Sequence, residues 1–270
     1  MAIDLAPLWD FGNPELSETR FRQALERASG DDALILQTQI ARTHGLRKDF
    51  AGARKVLRQV EPAIDGAGPE VTVRYWLELG RTLASAAHRA DQITPHDQDE
   101  ARRSFDVALQ TAREARLDAL AIDAVHMQAF IDTAPADQLK WGQAALAIVL
   151  TSSQPDAQRW EASVRNNVGH AFHQLGRYRE ALSEFRQALV LRERAANAQA
   201  TRVARWMVAW TLRSLQQIDE ALAIQLRLER ETEAAGQPDP HVFDELEALY
   251  RAGGDAARAE HYARRKAATR

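Results

Sequence analysis

The chain repeats one skeleton of small and large apolar residues, and this repeat limits the folds open to it. The clearest copy reads Val168-Gly169-x-x-Phe172, Gly176-x-Tyr178, Ala181-x-x-x-Phe185-x-x-Ala188. Similar skeletons run through 37–60, 76–108, 208–228 and 243–263, and a degenerate one through 117–151. Apolar residues spaced three and four apart are typical of amphipathic helices. Each copy therefore predicts two helices joined by a turn.

Composition and proline placement both favour an all-α chain. Alanine, leucine, glutamate, glutamine and arginine dominate, and all are good helix formers. The prolines fall between the apolar-periodic segments, as expected for a residue that breaks helix interiors. Asn13-Pro14, Thr94-Pro95 and Asp239-Pro240 each place a good N-cap before a proline, which predicts that these prolines are first helical residues.

Small residues recur where two helices have to approach closely. First segments carry Ala41, Gly80, Gly169 and Ala209 beside their aliphatic residues. A glycine inside a helix costs about 1 kcal/mol relative to alanine, so a packing reason is expected. Each hairpin has apolar surface on more than one side, which predicts that hairpins stack on one another.

This skeleton resembles the tetratricopeptide repeat, whose first helix follows Trp-x-x-Leu-Gly-x-x-Tyr and whose second carries Ala-x-x-x-Phe. The nearest first helix here is Trp76-x-x-Leu79-Gly80-x-x-Leu83. The resemblance implies an α-solenoid of antiparallel hairpins, about 13 helices wound into a right-handed superhelix. The step from Gly169 to Ala209 is 40 residues, against roughly 34 in the standard repeat. It is similar to the long-repeat variety of bacterial regulatory repeat proteins and kinesin light chains.

The expected organisation is a single array over residues 1–270. Residues 13–30 are predicted to form an N-terminal capping helix, 33–252 the repeat hairpins and 255–270 a C-terminal helix. Extra residues near 91–99 lengthen the second hairpin. The phase of the degenerate copy, roughly 117–151, is left open.

Charge and motif content argue against several classes of function. The formal net charge of −3 does not favour nucleic-acid binding. No stretch approaches the roughly 18 apolar residues of a membrane helix. No signal peptide is recognised, so a cytoplasmic protein is expected. Without cysteine, a thiolate metal site is impossible. No phosphate loop, nucleophile elbow or His-Glu-x-x-His motif is found, so we expect neither an enzyme nor a cofactor.

In the tetratricopeptide family the first helices line a concave groove that holds a partner. Counting three and four residues along the stripe opposite the small residues gives candidate groove positions. Those singled out for partner binding are Arg42, Arg74, Arg81, Asn166, His170, His173, Trp206, Trp210 and Arg213. The same stripe includes Ile35, Thr38, Leu77, Val203 and His241.

Arginine forks onto carboxylates, asparagine pairs with peptide backbone, and tryptophan is a flat apolar anchor. The hypothesis is a scaffold or adaptor that binds a protein or peptide, with an acidic or C-terminal segment as the candidate part of the partner. The family's Lys-Asn-Asn-Lys-Arg clamp is incomplete here, so its specificity is not transferred.

Other interpretations stay open. The alternative function is a regulatory sensor whose groove binds a small peptide or metabolite. Trp206 and Trp210 would equally suit packing between repeats, and the arginines would equally suit pairing with second-helix glutamates. His170 and His173 share a helical face and offer two metal ligands, but no third is evident.

Overall fold

The computed structural model describes residues 3–269, and every regular element within them is a helix. Thirteen long α-helices and one single turn are connected by loops and three 3-10 segments, and no described residue lies in a strand. The helices are α1 (Pro14–Leu25), α2 (Gly30–Leu46), α3 (Phe50–Val60), α4 (Pro69–Leu83), α5 (Pro95–Glu114), α6 (Asp118–Ile131), α7 (Pro135–Thr151), α8 (Pro155–Gln158, the single turn), α9 (Glu161–Gln174), α10 (Tyr178–Arg194), α11 (Ala198–Ser214), α12 (Ile218–Ala234), α13 (Pro240–Ala252) and α14 (Ala256–Ala268). The predicted all-α class is confirmed.

Three helices begin where the proline pattern predicts. The Asn13 side chain accepts a hydrogen bond from the backbone of Leu16 at the start of α1. At the start of α5, the Thr94 hydroxyl accepts a hydrogen bond from the backbone N–H of Asp97. At the start of α13, the Asp239 side chain accepts one from the backbone N–H of His241. Each cap satisfies a backbone N–H that has no partner inside the helix.

The turns inside four of the hairpins share one backbone geometry. A residue with positive φ follows the first helix: Lys48, Gly176, Gln216 or Gly254. The next amide then reaches back across the turn, as from Arg177 N to Phe172 O at 2.9 Å and from Gln217 N to Leu212 O at 2.9 Å. This pattern is a Schellman motif, which ends a helix and reverses the chain within a few residues.

Backbone contacts divide the chain into two compact units, one ending at Trp160 and the other beginning at Glu161. In the first unit, α1 packs on α2, and the hairpins are α2/α3, α4/α5 and α6/α7. In the second unit the hairpins are α9/α10, α11/α12 and α13/α14. We call α2, α4, α6, α9, α11 and α13 the first helices and their partners the second helices. The single array over residues 1–270, with its cap, repeat and terminal ranges, stays a prediction.

The small residues of the pattern lie where second-helix aromatic rings fill the hairpin. An added Cβ on Gly169 would lie 2.8 Å from Cε1 of Phe185, and Gly80 faces Phe105 in the same way. Both phenylalanines are fully buried. The glycines therefore have the packing reason that the sequence predicts.

Candidate functional site

In the first unit, two of the predicted groove arginines converge on two carboxylates. Arg42 from α2 donates to Glu78 Oε1 at 3.0 Å, and its Nη1 lies 3.8 Å from Asp123 Oδ2. Arg81 from α4 donates to Glu78 Oε1 at 2.6 Å and to Asp123 Oδ1 at 2.5 Å. We call these four residues the ion cluster. Its two cations and two anions leave no formal net charge.

Burial and pairing set the protonation of the ion cluster. The side chains of Glu78 and Asp123 are 5% and 12% exposed. Burial acts to raise the pKa of Asp123, but the charges of Arg81 and Arg42 outweigh it and hold that pKa below its usual range. Burial acts to lower the pKa of Arg81, and its two carboxylate partners raise it overall. Asp123 and Arg81 therefore both carry their charges at neutral pH.

The other predicted arginines also hold carboxylates of this chain. Arg74 bonds to Glu70 one turn earlier on α4, at 2.9 Å. In the second unit, Arg213 forks onto Glu245 of α13, with bonds of 2.5 and 3.1 Å. The open alternative, pairing with second-helix glutamates, does not describe Arg42, Arg74, Arg81 or Arg213, whose partners lie on first helices. Second-helix glutamates instead pair with Arg165 and Arg205.

In the second unit, four predicted groove residues form a continuous stack of rings. The His173 ring lies 3.3 Å from that of Trp210, and Trp210 lies 5.8 Å from Trp206, with near-parallel planes in both pairs. His170 stacks on Trp210 at 6.0 Å. We call these four residues the aromatic ladder. All four are partly exposed, so the ladder belongs to the surface and is not sealed in the core.

The two histidines of the ladder are neutral at physiological pH. Burial, with the charges of His170 and Arg213, lowers the pKa of His173 to about 4. Burial also lowers the pKa of His170. The Nε2 atom of His173 lies 3.0 Å from the Ser214 hydroxyl, which orients the ring. The ladder is therefore an uncharged, flat surface suited to apolar and aromatic groups.

A cavity of about 520 Å³ lies beside Trp206, and we call it the tryptophan cavity. The indole N–H of Trp206 donates to the carbonyl of His241 at 3.1 Å, which fixes the ring in the cavity wall. The lining residues are Gln199, Arg202, Val203, Trp206, Leu228, Thr232, Gln237, Pro238, Asp239, Pro240, His241 and Val242.

A second cavity, of about 400 Å³, lies beside Asn166, and we call it the amide cavity. Its lining residues are Ala162, Ser163, Asn166, Asn167, Ala188, Arg192, Asn197, Gln199, Ala200, Val203 and Ala204. Three asparagines and a glutamine make it polar, and Arg192 is the one ionisable side chain among these residues. Gln199 and Val203 line both cavities.

Other candidate features are absent from the part of the chain that the structure describes. Within residues 3–269, no three His, Cys, Asp or Glu side chains are grouped as metal ligands would be. The same residues contain no helix with the length and apolar character needed to span a bilayer.

Sequence reasoning placed some residues wrongly and missed others. Ile35, Thr38 and Leu77 fall on the predicted groove stripe but are buried. The missed residues are the carboxylates Glu78, Asp123 and Glu245, and the cavity residues Arg192, Asn197 and Gln199. The spacing of Glu78 three residues before Arg81 was a usable signal. Asp123 and Glu245 pair with other helices, so no local spacing identifies them.

Comparison with known proteins bears on the fold. The tetratricopeptide repeat family model matches residues 160–229. No curated protein sequence matches the chain. The structure is similar to a Signal Transduction ATPase with Numerous Domains protein with a tetratricopeptide repeat sensor, from Pyrococcus horikoshii. The TM-score is 0.72 at 12% identity over 94% of this chain, which spans 39% of that protein.

A second similar structure is the apo form of RapI. The TM-score is 0.73 at 10% identity, with 97% of this chain and 74% of RapI covered. At such identities the likeness establishes the fold alone.

Proposed function

We propose that this chain, whose residues 160–229 match the tetratricopeptide repeat family model, holds a segment of another protein on the first helices of its second unit. The aromatic ladder carries this proposal. Its partly exposed rings lie on α9 and α11. Trp206 lines the tryptophan cavity, which shares Gln199 and Val203 with the amide cavity. Tryptophan is among the residues that most often dominate binding free energy at protein interfaces. In this role the chain is a scaffold or adaptor.

Fixed rings favour binding because less side-chain freedom is lost when a partner arrives. Trp206 is tied to the His241 carbonyl, and Trp210 is stacked between His173 and Trp206. Immobilising a flexible side chain at an interface costs roughly 0.5–1.5 kcal/mol, and these rings are already ordered. The surface therefore suits apolar or aromatic side chains of the partner segment.

The ion pairs within the chain argue against three of the predicted arginines as the binding site of an acidic partner. Arg42, Arg81 and Arg213 each hold a carboxylate of this chain, so a partner's carboxylate would have to displace it. Breaking a buried pair leaves a charge without a partner, which is costly. A preference for an acidic or C-terminal segment is therefore not assigned to these three arginines.

The test is selection from a random peptide library displayed on phage, with the full chain as bait. One enriched peptide is then measured by fluorescence anisotropy. We expect Trp206→Ala and Trp210→Ala each to weaken binding by about tenfold, the loss typical of an interface hot spot. The control is Val190→Ala, an exposed site on second helix α10.

Circular dichroism confirms that each variant stays folded. If no peptide is enriched, or if all three variants bind equally well, the proposal is wrong.

The second candidate function is a sensor for a small peptide or metabolite. The tryptophan cavity favours it, since about 520 Å³ falls within the roughly 300–1,000 Å³ typical of small-molecule sites. A screen of small metabolites by thermal shift separates the two. A stabilising metabolite together with no enriched peptide would support the sensor.

A further inference from the structure

The amide cavity and the tryptophan cavity form neighbouring parts of one cleft along α11. Gln199 and Val203 belong to the walls of both. Val203 is 51% exposed although it is a large apolar residue, and it lies at this shared wall. A ligand that covered Val203 would therefore reach both cavities at once.

The amide cavity has the charge and the donors to receive an anion. Arg192, near the end of α10, donates from Nη2 to the Ser163 hydroxyl at 2.7 Å, which holds its guanidinium at the cavity wall. Unlike Arg42, Arg81 and Arg213, it has no carboxylate partner among residues 3–269. Asn166 and Gln199 add amide groups that can donate hydrogen bonds. A positive charge with neutral donors and no competing carboxylate favours a carboxylate ligand.

The tryptophan cavity has the apolar walls to receive the rest of such a ligand. Trp206, Leu228 and Val242 line it. Its one lining carboxylate, Asp239, already accepts from the backbone of His241 at 2.8 Å. Arg202, which also lines this cavity, has no hydrogen-bond or ion-pair partner among the described residues. Like Arg192, it therefore has no carboxylate of the chain to neutralise its positive charge.

We propose that the two cavities together bind a carboxylate attached to an apolar or aromatic body, with the carboxylate at Arg192 and the body against Trp206. The proposal rests on the proposed function and adds the chemistry of the ligand. The carboxylate comes from an acidic side chain beside an apolar residue in a bound segment, or from a free carboxylic acid. Both sources have the same chemistry, and the experiment separates them.

The probes are 4-phenylbutyrate and its neutral amide, 4-phenylbutanamide, titrated into the full 15N-labelled chain. The reporter is the indole N–H resonance of Trp206, assigned with Trp206→Phe. We expect the acid to bind about tenfold more tightly than the amide, because a charge-assisted hydrogen bond is lost in the amide. Arg192→Gln should remove this difference. The control is Arg194→Gln, an exposed arginine two residues along the same helix, which should keep it.

Three results would overturn the proposal: equal binding of acid and amide, an acid preference that survives Arg192→Gln, or no binding of either probe at millimolar concentration. A peptide selected from the phage-displayed library identifies the source of the carboxylate. Replacing its glutamate or aspartate by the amide should weaken binding to the native chain and leave binding to Arg192→Gln unchanged.

The two proposals fail in different ways. Enriched peptides with no acid preference would leave the proposed function standing and remove the ligand chemistry. An acid preference at Arg192 with no enriched peptide would point to a free carboxylic acid and remove the peptide-binding function.

Discussion

The ring of Phe105 lies against the Cα of Gly80, so closely that a Cβ on Gly80 would be 2.8 Å from its Cζ atom. Gly169 and Phe185 repeat this relationship in the second unit. In both hairpins the glycine is on the first helix and the ring on the second. The absence of one side chain therefore lets the two helices approach and bury the ring.

We expect Gly80→Ala to lower the free energy of unfolding by about 1–3 kcal/mol, the usual cost of overpacking a core. The matched control is Gly45→Ala in α2, where an added Cβ meets nothing within 4 Å. That change should raise the free energy of unfolding by up to about 1 kcal/mol, since alanine favours helix. Urea unfolding measures both. Equal stabilisation by the two variants would mean that the Phe105 ring yields without cost.

A pair of neighbouring glutamines tests the turn between α11 and α12. Gln216 has φ of 60°, whereas Gln217 has φ of −89°. Left-handed backbone costs roughly 1–2 kcal/mol for a residue with a Cβ, and glycine adds about 0.4–1 kcal/mol of unfolded-state entropy against this gain.

We therefore expect Gln216→Gly to stabilise the chain modestly and Gln217→Gly to destabilise it. Thermal unfolding of the two variants checks the signs. Destabilisation by both would show that the turn does not strain Gln216.

Removing one carboxylate from the ion cluster should be costly. In Asp123→Asn, Arg42 and Arg81 share only Glu78, so excess positive charge is left in a partly buried site. We expect a loss of about 3 kcal/mol, as when one partner of a buried pair is removed. The control is Asp91→Asn, whose carboxylate is 66% exposed and pairs with a 74% exposed Arg89. Its effect on urea unfolding should stay below about 0.5 kcal/mol. Similar losses in both would contradict the assigned role of burial.

The His173 site predicts a loss of stability in mild acid. Its pKa is about 4 in the folded chain, against an unperturbed value of 6.5. Between these values the unfolded chain binds more protons, so the free energy of unfolding falls as pH drops through this window and levels off below it.

His173→Phe keeps a ring on Trp210 and removes the titration, so its stability should depend less on pH in the same window. Urea unfolding at several pH values measures this, and NMR titration of His173 gives the folded pKa directly. An unchanged pH slope in the variant would contradict the prediction.

The sequence predicted the features that rest on local chemistry. Proline after an N-cap located the starts of α1, α5 and α13, and the small residues located close helix contacts. The groove stripe stays a prediction. It includes the four ladder residues, whose rings stack and are partly exposed, but it also includes Leu77, which is buried. Counting positions three and four residues apart predicts which side of a single helix a residue lies on. Burial depends in addition on how the neighbouring helices pack.

Pairing between helices was beyond such reasoning. Asp123 meets Arg81 across 42 positions of chain, and Glu245 meets Arg213 across 32. Gln225 shows the same limit in the core. It takes the pattern position of Phe185, and its buried amide has no hydrogen-bond partner among the described residues. Sequence periodicity predicts a core position there and gives no reason for an amide.

The ion cluster restricts how this part of the first unit can change over generations. Each arginine touches both carboxylates, so one substitution that removes a charge at any of the four positions leaves an unbalanced charge behind. Viable routes would exchange an arginine and an acid together, or replace all four by apolar residues of similar volume. Among relatives of this chain, these positions should therefore vary as a set whose charges sum to zero.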